Sequence, residues 1–321
     1  MATPAMWDSW TIIAALWLLA ALISRASSAS EECLVDQQHG MMTSVSISPH
    51  HRELYQRQGH IQLEGVLSDM QLERWRSMID GAVQARGDRK FSDSAPSDTA
   101  DATNEDLGYF DKVFTQKVNI WHDGEAMRQM VVDDAGAELG RIASALTGKE
   151  YRLWHDQALY KEAYANPTSW HVDVPYWSFN SSDAISAWVA LDDATESNGC
   201  LHFLSGSHSI IGAKDDPFAE VKIGKNMDAL FDVHPELRTL EPVAVPVVAG
   251  SVSFHNGLTA HAAGPNMTPH QRRAMSFQLM PIGDNRFNGK QNILSRAYFE
   301  SLQIGDVLDR DDVNPRLGGA R

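Results

Sequence analysis

The chain is short of cysteine, of positive charge and of long apolar runs, and each shortage removes a class of function. Its two cysteines, Cys33 and Cys200, in 321 residues exclude a disulfide-rich scaffold and a zinc site built from four thiolates. A single disulfide between them stays open. Lys and Arg total 27 against 42 Asp and Glu, a net charge of −15. That field repels nucleic acid and anionic membrane surfaces. It also disfavours a highly anionic substrate unless a local basic pocket overrides it.

The apolar run "WTIIAALWLLAALI" at 10–23 would reach only about 21 Å as a helix, against a hydrocarbon core of ~30 Å. The small residues "SRASSAS" follow it. Together they fit a signal peptide cleaved after Ala29 or, read otherwise, an uncleaved anchor. Asp8 and the lack of Lys or Arg ahead of the run make a poor n-region. The expectation is a leader over 1–29 that directs the chain to the secretory pathway or a membrane, with a cytoplasmic protein as the alternative. A flexible linker over 30–50 follows. Secretion would turn "NSS" at Asn180 and "NMT" at Asn266 into glycosylation acceptors. The ending "GGAR" carries neither a peroxisomal nor an ER-retention signal.

What is present is material for a core, at 43% hydrophobic residues. A short strand is predicted at His60–Leu63. A helix follows, capped by Ser68, with Met70, Leu72, Trp75, Met78 and Ile79 at helical spacing. Residues 88–105, "DRKFSDSAPSDTADATNE", hold few large apolar side chains and read as a mobile loop. A second helix is expected over Glu125–Thr147, with Gly148 just past its end. From Tyr151 onward the period becomes two. Short runs rich in Val, Ile, Trp and Phe are punctuated by turns such as Asn198–Gly199 and Asn256–Gly257. Many short strands of this kind predict a mainly β sandwich, barrel or jelly roll with flanking helices. The final stretch, from about 284, lacks a core pattern and is expected to wrap the surface or fray.

Within the β region stands "WHVDVPYW". With 13 His and the chain's aspartates, chance alone supplies roughly one His-x-Asp, so the motif means little by itself. On a strand, His171 and Asp173 would project to one side and give most of a two-histidine, one-carboxylate metal site. The third donor could be His255, His261 or His270 downstream. Arg272 and Arg273 begin the apolar strand "AMSFQLM". Strand parity sends only one of them inward, where a buried cation needs an anion such as a carboxylate. His202, His208 and His234 read as structural or surface residues, and Asp192 and Asp193 as turn residues.

Several blocks in order carry a resemblance: "YQRQGHIQLEGVLSDMQLERW", "DQALYK", "HVDVPYW", "ISAWVALDDATESNGCLHFLSGSHS" and "AGSVSFHNGLTAHAAGPN" followed by "RRA". Over about 51–285 the chain resembles the phytanoyl-CoA dioxygenase family of Fe(II)/2-oxoglutarate oxygenases, with 286–321 as a C-terminal tail. The resemblance implies a double-stranded β-helix and an enzyme that uses Fe(II), 2-oxoglutarate and O2 to hydroxylate a small molecule. It implies His171, Asp173 and His261 as iron ligands and Arg272 as the clamp on the distal carboxylate of 2-oxoglutarate. Gln157, Trp188 and Lys117 match positions that line the co-substrate, and Tyr176 and Trp177 would border the substrate mouth. The sequence departs in two places. Ala263 stands where the family often has serine, which removes a hydroxyl that Thr259 could replace, and Ser205 stands where proline is usual. The retained carboxylate at Asp173 disfavours halogenation. The rival reading is a non-catalytic jelly-roll module that binds a ligand. The sequence sets neither the substrate nor the oligomeric state.

Overall fold

Strand alternation decides which residues this molecule hides and which it turns toward its own hollow. The computed structural model describes residues 44–87, 109, 112–221, 226–283 and 285–318. The expected leader and loop 88–105 lie outside these residues, as do Cys33 and most of the linker. All described residues fall in one unit, 42–321. No helix among them is long and apolar enough to cross a membrane.

Among the described residues, eleven strands form two sheets. The larger runs in the order β1 (His60–Leu63), β8 (Val252–Asn256), β5 (Ile185–Ala190), β10 (Arg272–Pro281), β3 (Tyr151–Lys161) and β11 (Arg316–Leu317), and β2 (Thr115–Val118) also pairs with β3. The smaller runs β4 (Thr168–His171), β9 (His261–Ala263), β6 (Leu201–Leu204), β7 (Pro242–Val245). From β3 to β10 the chain passes back and forth between the two sheets, which makes the barrel a double-stranded β-helix, the jelly roll expected from the sequence.

Register shows two opposite faces on the large sheet. Leu63, Val252, Val189, Met275 and Ala158 lie in one row across five strands, and Ile61, Phe254, Ala187 and Phe277 in another. All are buried in a single apolar core beneath the helices. Each large side chain so buried contributes roughly 1.5–3 kcal/mol. The alternate positions are polar. Gln62, Ser253, Trp188, Ser276 and Gln157 form one row, and His60, His255, Ser186, Gln278 and His155 form the next. The sheet therefore spends its apolar face on the helices and lines the barrel with hydrogen-bonding groups.

Among the described residues, three helices cover the apolar face. α1 (Pro49–Gln58) starts at Ser48, and α2 (Asp69–Ala85) starts at Ser68, whose hydroxyl accepts from the Gln71 amide while the Gln71 side chain accepts from the Ser68 amide. This reciprocal cap satisfies two of the orphan donors at a helix start. Leu72, Trp75 and Ile79 of α2 are buried against the sheet. α3 is composite, with Glu125–Arg128, a π-helical stretch Gln129–Gly136 and Ala137–Thr147, and it ends at Gly148 in the left-handed region, φ 79°.

Of the two courses expected for the tail, the structure shows one. The tail wraps the barrel and does not fray. Leu294, Tyr298 and Leu308 are buried, β11 pairs with β3, and buried Asn314 donates to the carbonyls of Leu153 and Trp154. Leu317 packs against Gly140 of α3, where a Cβ would come within 2.7 Å of it. Asn266 is fully buried and its amide donates to Lys161, Glu162 and His270 carbonyls, so it is no glycan acceptor in the folded chain. Asn180 is exposed, and its side-chain oxygen accepts from Asn288.

Asp156 interrupts the apolar face opposite Phe277 and accepts the amides of Ile120 and Trp121 at 3.0 and 3.2 Å. Burial nevertheless pushes its carboxyl up to about 7. The folded state then holds a proton that the unfolded chain releases near its ordinary value, so stability should fall as pH rises from about 4 to 7. Asp156→Asn should flatten that fall in urea unfolding series at pH 5 and pH 8.

Candidate metal centre

β4 carries Ser169 and His171 and then stops. The expectation that His171 and Asp173 share a strand is corrected here. Asp173 has already turned into right-handed backbone (φ −82°, ψ −47°) at the head of a 3₁₀ turn, Val174–Tyr176. The Asp173 and Val174 amides both donate to the Gly257 carbonyl, at 2.9 and 3.2 Å, and fix that exit. His261 opens β9 directly opposite His171. One potential ligand atom from each of the three residues lies within 4.8 Å of the others, and among the described residues no other group of three meets that test.

The tautomers are set by the backbone. His171 Nδ1 donates to the Ser169 carbonyl at 2.8 Å and His261 Nδ1 to the Thr259 carbonyl at 3.0 Å. Both Nε2 atoms thus keep their lone pairs and lie 3.8 and 3.7 Å from Asp173 Oδ1. Burial pulls both imidazoles down to about 4, so they are neutral at neutral pH. Burial alone would raise the Asp173 carboxyl, but His261, His255 and His171 outweigh it and hold the group well below the usual carboxylate range. Two neutral imidazole nitrogens and one carboxylate oxygen facing a common point suit a divalent non-haem metal with open positions.

The competing histidines are elsewhere. His255 Nε2 bonds Asp173 Oδ2 at 3.2 Å, so it touches the carboxylate from the far side, and Ser186 Oγ reaches the same oxygen at 2.6 Å. His270 is exposed. The partnership of Ser186 and His255 has no local sign in the sequence, although strand parity puts both on the inward face.

Past the triad lies a cationic end. Arg272 is buried, and its guanidinium carbon sits 5.0 Å above the Trp188 ring. One amino group donates to the Gly199 carbonyl at 2.6 Å, while buried Nε has no partner. Burial lowers the group to about 10, which still leaves it charged at neutral pH. Arg273 faces the other way and is bonded to Asp192 and Asp80. Gln157 shares a row with Ser276 and Trp188 and bonds Gln116. Lys117 is not brought to this wall: its register partner is Ala158, on the helix-covered face. Thr259 cannot stand in for the hydroxyl missing at Ala263, because its own Oγ1 is buried and donates to the Gly59 carbonyl. Trp177 is likewise withdrawn from the mouth; it is 4% exposed and packs with Phe179 in the second core. Tyr176 is half-buried and donates to the Val221 carbonyl.

A jelly roll with a two-histidine, one-carboxylate centre and an inward arginine defines the class of 2-oxoglutarate-dependent dioxygenases. Within that class, the family model described as Phytanoyl-CoA dioxygenase (PhyH) matches residues 55–274, and the chain belongs to that family. It is 21% identical over 257 residues to a phytanoyl-CoA dioxygenase domain-containing protein 1 homolog of Caenorhabditis briggsae, covering 71% of this chain and 89% of the relative. It is 23% identical over 235 residues to the peroxisomal phytanoyl-CoA dioxygenase of Homo sapiens, covering 70% and 66%. Among solved structures it shares its fold with SnoK, a non-heme alpha ketoglutarate dependent carbocyclase from nogalamycin biosynthesis (TM-score 0.69, 24% identity, 86% and 99% covered). It also shares it with the epimerase SnoN in complex with Fe3+, alpha ketoglutarate and nogalamycin RO (TM-score 0.62, 22% identity, 83% and 96% covered).

Gly257 is the point of least tolerance around the triad, since a Cβ there would lie 2.3 Å from Val174 Cγ2. Gly257→Ala should displace the Asp173 turn, lower stability by about 1–3 kcal/mol and weaken divalent-metal binding. Thermal unfolding and a Co(II) titration of the same preparation check both effects.

Proposed function

We propose that the protein is an Fe(II)- and 2-oxoglutarate-dependent hydroxylase of a small molecule. In this reading His171, Asp173 and His261 hold the iron, and Arg272 anchors the distal carboxylate of 2-oxoglutarate. The observation that carries it is the pairing, inside one barrel, of a preformed anionic donor set with a buried arginine whose Nε lacks a partner. A carboxylate would complete that guanidinium through charge-assisted hydrogen bonds.

Bound iron and 2-oxoglutarate, with dioxygen, supply the oxidation, in which the co-substrate yields succinate and CO2 and one C–H of the substrate becomes C–OH. The chain's own groups bind and orient. The Ser169 and Thr259 carbonyls hold the two imidazoles in the metal-binding tautomer. Trp188 supports the Arg272 guanidinium from one face, and Gln157 and Ser276 offer polar groups along the wall between the triad and Arg272. Apolar side chains such as Val172, Val174 and Leu258 bury the turn that carries Asp173 and keep water from it. Relatives named for an acyl-CoA and for hypophosphite differ too widely to lend a substrate. The charge of −15 weighs against a polyphosphorylated one such as an acyl-CoA.

Anaerobic addition of Fe(II) and 2-oxoglutarate should produce a visible charge-transfer band in the wild type and none in Asp173→Ala. No band, together with no succinate released under oxygen, would leave a ligand-binding jelly roll as the surviving reading. Arg272→Ala should raise the KM for 2-oxoglutarate by 30- to 1000-fold, about 2–4 kcal/mol of lost anchoring. Arg273→Ala should leave that KM unchanged and lower thermal stability instead, because its contacts run to Asp80 and Asp192.

A further inference from the structure

We infer that Ser186 and His255 are positioning residues that hold Asp173 to a one-oxygen mode of metal binding. The inference rests on the reading of His171, Asp173 and His261 as metal ligands. Ser186 and His255 are direct cross-strand partners on β5 and β8 and belong to the polar row that faces the barrel interior. Both reach the same carboxylate oxygen, Oδ2, at 2.6 Å from Ser186 Oγ and 3.2 Å from His255 Nε2. An ionised carboxylate only accepts, so the serine donates its hydroxyl hydrogen and the imidazole carries its hydrogen on Nε2.

His255 Nδ1, by contrast, is buried without any partner. A buried imidazole that forgoes one of its two hydrogen bonds is committed to the other. The ring is also wedged, with its centroid 4.4 Å from that of His261 and 5.4 Å from that of Phe203.

The two oxygens of Asp173 are treated differently. Oδ2 receives both donors, whereas Oδ1 faces only His171 Nε2 and His261 Nε2 at 3.8 and 3.7 Å, beyond hydrogen-bond reach. Donors recruited merely to make a buried carboxylate tolerable would serve either oxygen. Here they occupy the one turned away from the imidazoles and leave the other exposed to the metal position. A carboxylate fixed in this way cannot swing to chelate through both oxygens. Chelation would take one of the positions that the co-substrate and dioxygen need.

Cobalt(II) alone, titrated into the purified chain, reports the effect without any turnover. Wild type should bind one equivalent. Ser186→Ala and His255→Ala should each weaken binding by about 10- to 100-fold, the usual cost of losing an outer partner of a ligand. Both should also shift the visible Co(II) spectrum toward the weaker absorption of higher coordination. His255→Gln, which returns an N–H to the place of Nε2, should recover most of the affinity. The inference is overturned if both alanine variants bind Co(II) with wild-type affinity and spectrum. It is equally overturned if His255→Gln stays as weak as His255→Ala while the metal-free melting temperatures fall in parallel, since that pattern marks a structural role only. Should His255→Ala fail to fold, the smaller Ser186→Ala change carries the test. If the wild type binds no Co(II), or Asp173→Ala binds it equally well, the triad reading itself fails, a result distinct from the failure of the clamp alone.

Discussion

The whole molecule depends on which face of its large sheet is covered. α1, α2 and α3 cover the outer face, and the rows running from Leu63 to Ala158 and from Ile61 to Phe277 bury their apolar side chains there. With the outer face supplying the hydrophobic stabilisation, the inner face is free to be polar. That freedom has a cost. Ser253 Oγ, Gln278 Oε1, His155 Nδ1 and Arg272 Nε are buried without partners, and each such group typically costs about 1–3 kcal/mol. The helix-covered core offsets a cost that a barrel filled with valine and leucine would not incur. An interior of this kind is a place prepared for something polar to enter.

The interior is also graded along its length. Burial draws His155 down to about 3 and His60 to about 4, so these two add hydrogen-bonding capacity without adding charge. What charge remains is separated, with Asp173 among the imidazoles at one level and Arg272 at the other. Lys161 lies beside Arg272 in register, and burial brings its ammonium down to about 7. A metal cation at the first level and a dicarboxylate reaching toward the second would neutralise both ends. The same separation keeps Arg272 from forming an ion pair with Asp173 that would close the barrel on itself.

Much of this was legible in residue order because it depends on neighbours along the chain. Ser68 with Gln71, the strand His60–Leu63 and the helix ending at Gly148 follow from local rules. The opposite fates of Arg272 and Arg273 follow from parity alone. The remainder turned on tertiary partners. His171 and Asp173 do converge, but through a turn tied to Gly257, a residue on a distant strand connection, and not along one strand as alternation predicts. Trp177 and Asn266 carry no local sign of burial, because the segments that bury them come from the second core and from the ends of β3 and β10. Lys117 matched a family position while its strand presented Gln116 to Gln157. Ser186 and His255 were ordinary inward residues until the fold placed both at one oxygen.

The pairing order also governs how the protein is made. β1 lies beside β8, β4 beside β9, and β3 between β10 and β11, so among the described residues only β2 with β3 and β6 with β7 pair as consecutive strands. During synthesis the apolar faces of β1, β3 and β5 emerge well before β8, β9 and β10 exist to complete the sheets, and closing such non-local contacts is slow. His171 and Asp173 leave the ribosome with no third donor to meet. The three donors therefore come together only when β9 pairs with β4. A cell making this protein must shield exposed β-strand edges for the length of that delay.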